Sequence, residues 1–238
     1  MDSVSLFVFF FLLRVVLLHS AEEEGIYPPN CPPFRCGKLG KIGFPFANHT
    51  SPECGLCILY DCGDPTNKTT PKIQLERNGT KLYDVEGISQ ADTIQIKDQQ
   101  LQHVLDSNDC ESLNNLTLPS SPFISFQITP NLTLFKCNRT LNIPHPIGFN
   151  STNCSNYNIY YSLGNFTMPP TQCPIIQLPL KWEEHRSNEL FRLLSTDIFL
   201  QVRVSIDCRN CHVRGGQCQA DKNGRFLCSK ENKGKGIG

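Results

Sequence analysis

Charge imbalance, methionine and tryptophan are what this chain of 238 residues has little of: 22 Lys and Arg offset 22 Asp and Glu, and there are two Met and one Trp. A neutral chain has no global field to steer it onto nucleic acid or an anionic surface. Past residue 21, no apolar run approaches the about 20 residues that a spanning helix requires. Catalytic signatures are missing too. There is no nucleophile elbow, no Gly-rich nucleotide loop, no His-Arg-Asp and no Asp-Phe-Gly, and no motif sets two carboxylates across a cleft. The sequence therefore predicts a non-enzyme with no cofactor and no metal.

What is abundant is cysteine. Thirteen occur, at Cys31, Cys36, Cys54, Cys57, Cys62, Cys110, Cys137, Cys154, Cys173, Cys208, Cys211, Cys218 and Cys228. A chain this rich in thiols belongs in an oxidising compartment, where they pair as disulfides. Cys54-Gly-Leu-Cys57 and Cys208-Arg-Asn-Cys211 could hold half of a zinc site each, but Cys218 and Cys228 do not repeat the spacing. An odd total leaves at least one thiol over, or paired with another chain. The leader agrees: Leu6 to Leu18 is apolar apart from Arg14, and small residues precede Glu22-Glu23-Glu24, which predicts a secretory signal over 1–21.

Asn-x-Ser/Thr sequons are in excess. Nineteen asparagines predict about two or three by chance. Nine occur, at Asn48, Asn67, Asn78, Asn115, Asn131, Asn138, Asn150, Asn153 and Asn165. Cys154 inside the Asn153 sequon makes it the weakest candidate, since a disulfide there hinders the transferase. The other eight are candidate glycosylation sites, and glycan marks exposed backbone.

The pattern predicts a mainly β, disulfide-rich fold of two small cysteine-stapled modules with short helices. The first module spans 31–137 and the second 154–230, with a linker at 138–153 rich in Asn and Pro and a flexible tail at 231–238. Ile73 to Leu75 and Leu82 to Val85 flank Asn78-Gly79, a hairpin turn pair. Alternation predicts strands at Ile94 to Ile96, Phe126 to Ile128 and Leu132 to Leu134, and further strands are expected at Tyr157 to Leu163 and in the β-branched stretch Phe199 to Ile206. Short helical stretches are expected at Gln99 to Leu105 and within Trp182 to Leu194.

The order of motifs carries a resemblance. Cys31-x4-Cys36-Gly37 precedes Ile42-Gly-Phe44-Pro45-Phe46, then Cys54-Gly55, Leu59-Tyr-Asp-Cys62, Tyr83-Asp-Val85, Cys110, Pro122-Phe123 and Leu134-Phe-Lys-Cys137. This series resembles the galacturonan-binding domain of plant wall-associated receptor kinases. Cys208-x2-Cys211-x3-Gly215-Gly216-x-Cys218 with Phe226-Leu-Cys228 resembles the wall-associated kinase C-terminal domain. The wording is most similar to ectodomains of leaf-rust-resistance-locus receptor-like kinases. Many relatives end this cluster in Cys-x-Cys, whereas here Lys230 follows Cys228-Ser229, a departure that would account for the odd cysteine. Relatives continue into a transmembrane helix and a kinase, and neither is found in these residues, so the resemblance brings no kinase activity to them.

The resemblance implies binding of pectic polysaccharide, in a plant cell-wall or cell-surface setting. Arg35, Lys38 and Lys41 lie near Phe34, Phe44 and Phe46, with no acidic residue from Cys31 to Pro52. Cations pair with galacturonate carboxylates and flat rings stack on sugars. Two alternatives stay open: Phe44 and Phe46 form such a platform, or they fill a core between disulfides while the cations solvate a loop. The C-terminal cysteine cluster is either a rigid spacer or a contact for another receptor ectodomain. A protein- or peptide-binding role with no specific polysaccharide site is the alternative function.

Overall fold

The structure, a computed structural model, describes residues 31–63, 69–89, 92–164, 169–181 and 188–230. The expected signal at 1–21, the sequons at Asn67 and Asn165, Trp182 and the tail at 231–238 lie outside the described residues.

The fold is mainly β with a few short helices. A two-stranded ribbon pairs β1 (Phe34–Arg35) with β2 (Lys41–Ile42). A seven-stranded sheet follows. It contains β3 (Phe46–Asn48), β4 (Cys57–Tyr60), β5 (Lys72–Gln74), β6 (Tyr83–Ile88), β7 (Thr93–Lys97), β8 (Ile124–Ile128) and β13 (Asp197–Val204). Their order is β3-β4-β5-β6-β7-β13-β8. A four-stranded sheet has the order β10-β11-β9-β12, built from β9 (Asn131–Asn138), β10 (Asn150–Asn153), β11 (Tyr157–Tyr161) and β12 (Ile175–Pro179). A final hairpin pairs β14 (Gly216–Ala220) with β15 (Phe226–Lys230).

Alternation explains most of these strands. Ile94 and Ile96 of β7, and Ile198, Leu200 and Val202 of β13, are buried while the residues between them are not. The α1 helix (Gln99–Asp106) starts at Asp98, whose carboxylate accepts hydrogen bonds from the backbone N–H of Gln100 (2.9 Å) and Leu101 (3.2 Å). Leu101 and Leu105, one turn apart, are its buried face. The single turn α2 (Leu190–Leu193) buries both of its end residues. The α3 helix (Ile206–Val213) is capped by Ser205, whose hydroxyl accepts from the Cys208 N–H at 3.3 Å.

Two expectations need correction. The division into sequential modules fails, because β13 lies between β7 and β8 and the Cys110–Cys154 disulfide crosses the supposed boundary. β9, from the first expected module, is flanked by β11 and β12 from the second. The 138–153 stretch is more than a linker: it holds a capped turn at Arg139–Leu141 and the edge strand β10. The cause is that β13 runs through the core, where the N–H and C=O groups along both of its edges need partners, whatever the separation along the chain. The expected hairpin around Asn78 does form, pairing Ile73 with Tyr83. Its turn closes from the Gly79 N–H to the Glu76 carbonyl (2.9 Å), so Asn78-Gly79 sits inside a longer connection.

The six disulfides are Cys31–Cys54, Cys36–Cys62, Cys110–Cys154, Cys137–Cys173, Cys208–Cys218 and Cys211–Cys228. Cys228 is thus paired, and the missing Cys-x-Cys does not account for the odd thiol. That thiol is Cys57, buried in β4 with its sulfur 3.7 Å from the Leu75 carbonyl. Burial pushes its pKa far up, so it stays a neutral thiol.

Candidate ligand-binding site

The ribbon β1–β2 divides its residues between two faces. Ile42 is buried and Phe34 packs against the main core, while Arg35 and Lys41 are exposed. Arg35 and Lys41 are direct cross-strand partners. Neither has an acidic partner among the described residues. Like charges set opposite each other on a ribbon repel, so the pair favours an anion that bridges them. Disulfides Cys31–Cys54, ahead of β1, and Cys36–Cys62, in the β1–β2 connection, anchor the ribbon at both ends.

The other residues of the expected site are placed differently. Lys38 forms an ion pair with Glu86 (3.1 Å), and Glu86 also faces Lys97 at 3.5 Å. The hydrogen bond from Lys38 lowers the Glu86 carboxyl below its ordinary range, with Lys97 adding to it. Lys38 is therefore already neutralised. Phe46 is only 5% exposed and belongs to the core, so it presents no ring to a sugar. Phe44 is half-buried and stacks on His212 of α3, with ring centroids 3.9 Å apart at 17°. Of the five residues, Arg35 and Lys41 alone combine exposure with unpaired charge.

His212 is the residue the sequence did not disclose. It is buried, its Nε2 has no hydrogen-bond partner among the described residues, and burial lowers its pKa. Through the Phe44 stack it joins the cysteine-rich end of the chain to the loop that follows the basic ribbon. Arg209 makes a second tie, with Nη2 at 2.7 Å from the Asp92 carboxylate. The Gly215-Gly216 pair also has a steric reason. Gly215 turns at φ +75°, and a Cβ on Gly216 would lie 2.7 Å and 2.8 Å from the sulfurs of Cys228 and Cys211.

The described sequons differ in their surroundings. Asn78 is exposed in the β5–β6 connection. Asn48 and Asn138 each accept a hydrogen bond from the N–H of the threonine two residues on, at 3.2 Å and 3.0 Å. Asn131 donates to the Ile128 carbonyl (3.1 Å), and Asn150 opens β10. Asn115 is engaged twice on the edge of β12: its Nδ2 donates to the Ile175 carbonyl (3.0 Å) and its Oδ1 accepts from the Gln177 N–H (2.7 Å).

No group of three or more His, Cys, Asp or Glu side chains among the described residues could hold a metal ion. No helix among them is long and apolar enough to cross a membrane. No family model matches the chain, and no solved structure matches it. The chain is 34% identical over 235 residues to the leaf rust 10 disease-resistance locus receptor-like protein kinase-like 1.1 of Arabidopsis thaliana. That match takes in 98% of this chain and 34% of the relative, so the chain spans about a third of the length of the curated relative it matches. Over nearly its whole length, then, this six-disulfide β protein is similar to one third of a plant receptor-like protein kinase-like protein.

Proposed function

We propose that the chain is the extracellular, ligand-binding region of a receptor-like protein, and that it takes an acidic polysaccharide of the pectic galacturonan class. The observation that carries this is the cross-strand pair Arg35 and Lys41, exposed and without a counter-charge on a disulfide-anchored ribbon. Successive carboxylates of a polyuronate supply the anions that two adjacent cations lack. Similarity to a receptor-like protein kinase-like protein and six disulfides support an extracellular setting. Glycosylation at the presented sequons, secretion by the 1–21 leader and residence at the cell wall belong to the same proposal.

A second function is favoured by one feature. Ile206 and Val213, two turns apart on α3, are 77% and 46% exposed, which suits contact with a protein such as another receptor ectodomain. Binding of de-esterified oligogalacturonates of increasing length, across a salt series, separates the two. The polysaccharide function predicts saturable, length-dependent binding that weakens at least about tenfold in the Arg35→Glu, Lys41→Glu double variant. Lys38→Ala should leave it within about twofold, since Lys38 is already paired with Glu86. Binding indifferent to the double reversal would reject the ribbon as the site.

A further inference from the structure

One face of the four-stranded sheet carries a second, smaller core of Phe135, Cys137, Phe149, Tyr160 and Cys173, with Ile143 packed against it. At its margin lies a pocket of about 400 Å³ whose lining includes Asn138, Arg139, Asn142, Ile143, Asn158 and Tyr160. The lining is polar and suits a sugar, with three carboxamides and a phenol beside one aliphatic side chain, and with Arg139 held in place by Nη1 donating to the Cys154 (3.3 Å) and Ser155 (3.4 Å) carbonyls. The Asn158 carboxamide oxygen has no hydrogen-bond donor among the described residues. A buried acceptor without a donor is destabilising, so a ligand that supplies one is favoured there.

Asn138 stands on the wall of this pocket and is also a sequon. Its Oδ1 is held by the Thr140 N–H (3.0 Å) and the Thr140 hydroxyl (2.9 Å), while its Nδ2 has no hydrogen bond among the described residues. We propose that Asn138 is N-glycosylated and that the first sugar of its own glycan occupies this pocket. The inference rests on the extracellular function proposed above. In the covalent step, Nδ2 loses a proton and bonds to the anomeric carbon of a lipid-pyrophosphate-linked oligosaccharide, and the lipid pyrophosphate leaves. The sugar's hydroxyl and acetamido N–H groups are the donors that the Asn158 oxygen lacks, and Ile143 meets its methyl group. Tethering makes even weak contacts effective, because a sugar fixed at the rim has an effective concentration on the order of millimolar or more.

The test is site-resolved deglycosylation of the full chain, secreted from a eukaryotic host. Amidase release in heavy-oxygen water labels each formerly glycosylated asparagine, and Asn78 in its exposed connection is the internal reference. We expect the native Asn138 glycan to be released at least about tenfold more slowly than the Asn78 glycan, with equal rates after denaturation. Arg139→Ala and Asn158→Ala, which keep the sequon, should each bring the Asn138 rate toward that of Asn78. Equal native rates, or an unmodified Asn138 beside a modified Asn78, would overturn the inference and leave the extracellular function standing. Chains retained inside the host cell without glycan at either site would overturn both.

Discussion

The ammonium of Lys136 lies 4.6 Å above the centre of the Tyr157 ring, on the adjacent strand of the four-stranded sheet. The same ammonium donates to the carbonyls of Glu111 (2.6 Å) and Leu113 (3.0 Å), and the Glu111 carboxylate accepts from the Asn156 N–H (2.7 Å). One buried cation thus fastens the irregular segment after Cys110 to β9 and β11. Burial lowers its pKa, and the negative charges of Glu111 and Asp109 offset part of that shift.

Replacing that cation with an apolar chain of similar length leaves two carbonyls without a donor. Lys136→Met should destabilise the fold by about 1–3 kcal/mol. For a chain of this size that is a fall in Tm of roughly 2–12 °C. Lys97→Met, in the exposed network with Glu86 and Asp197, is the control and should stay within about 0.5 kcal/mol. Calorimetry of both variants decides it, and equal Tm values would show that the buried contacts add nothing.

Cys57 should be chemically silent until the fold opens. Its thiol is fully buried and kept protonated, whereas alkylation requires an exposed thiolate. Native protein should take up no iodoacetamide. Denatured, unreduced protein should take up one equivalent, located at Cys57 by peptide mapping, with six disulfides intact. Labelling of a second cysteine without reductant would refute the pairing.

His212 gives stability a dependence on pH with a fixed sign. Burial lowers its pKa in the folded protein, so the unfolded chain binds a proton there first as pH falls. The contribution of the neutral ring is complete above about pH 6.5 and diminishes as pH drops below it. His212→Phe keeps the stack on Phe44 and removes the titration. Its Tm should therefore vary less than that of the parent between about pH 5 and pH 7. Parallel profiles would mean that the ring does not titrate with unfolding.

Asn115 is the sequon whose modification the fold opposes. Its carboxamide uses the N–H on the same side as its oxygen to reach Ile175 while the oxygen takes the Gln177 N–H. In a planar trans amide, the glycosyl carbon takes that same position. Glycan at Asn115 and the contact with β12 therefore exclude each other, and site occupancy in secreted protein should be lowest there. Glycopeptide analysis showing Asn115 as fully occupied as Asn78 would contradict this.

Local chemistry was legible in the sequence. Alternation marked β7, β8 and β9, apolar and β-branched runs marked β11 and β13, and the count and spread of cysteines indicated a disulfide-stapled β fold. The short helix at 190–193 fell within its expected stretch, and the one at 99–106 ran one residue past Leu105. Choice of partner was not legible. Nothing in Asp197–Val204 says that its neighbours are Thr93–Lys97 and Ile124–Ile128, because alternation fixes which face is buried and not which strand lies alongside.

The candidate site divides in the same way. By itself the sequence determined the basic cluster of Arg35, Lys38 and Lys41, since residue type and the lack of nearby acid are local properties. Tertiary structure alone decided that Lys38 is spent on Glu86, that Phe46 is core, that Phe44 is covered by His212 and that Cys57 is the odd thiol. Each of those outcomes depends on a residue far along the chain, brought close by burial of apolar faces rather than by any signal carried at the site.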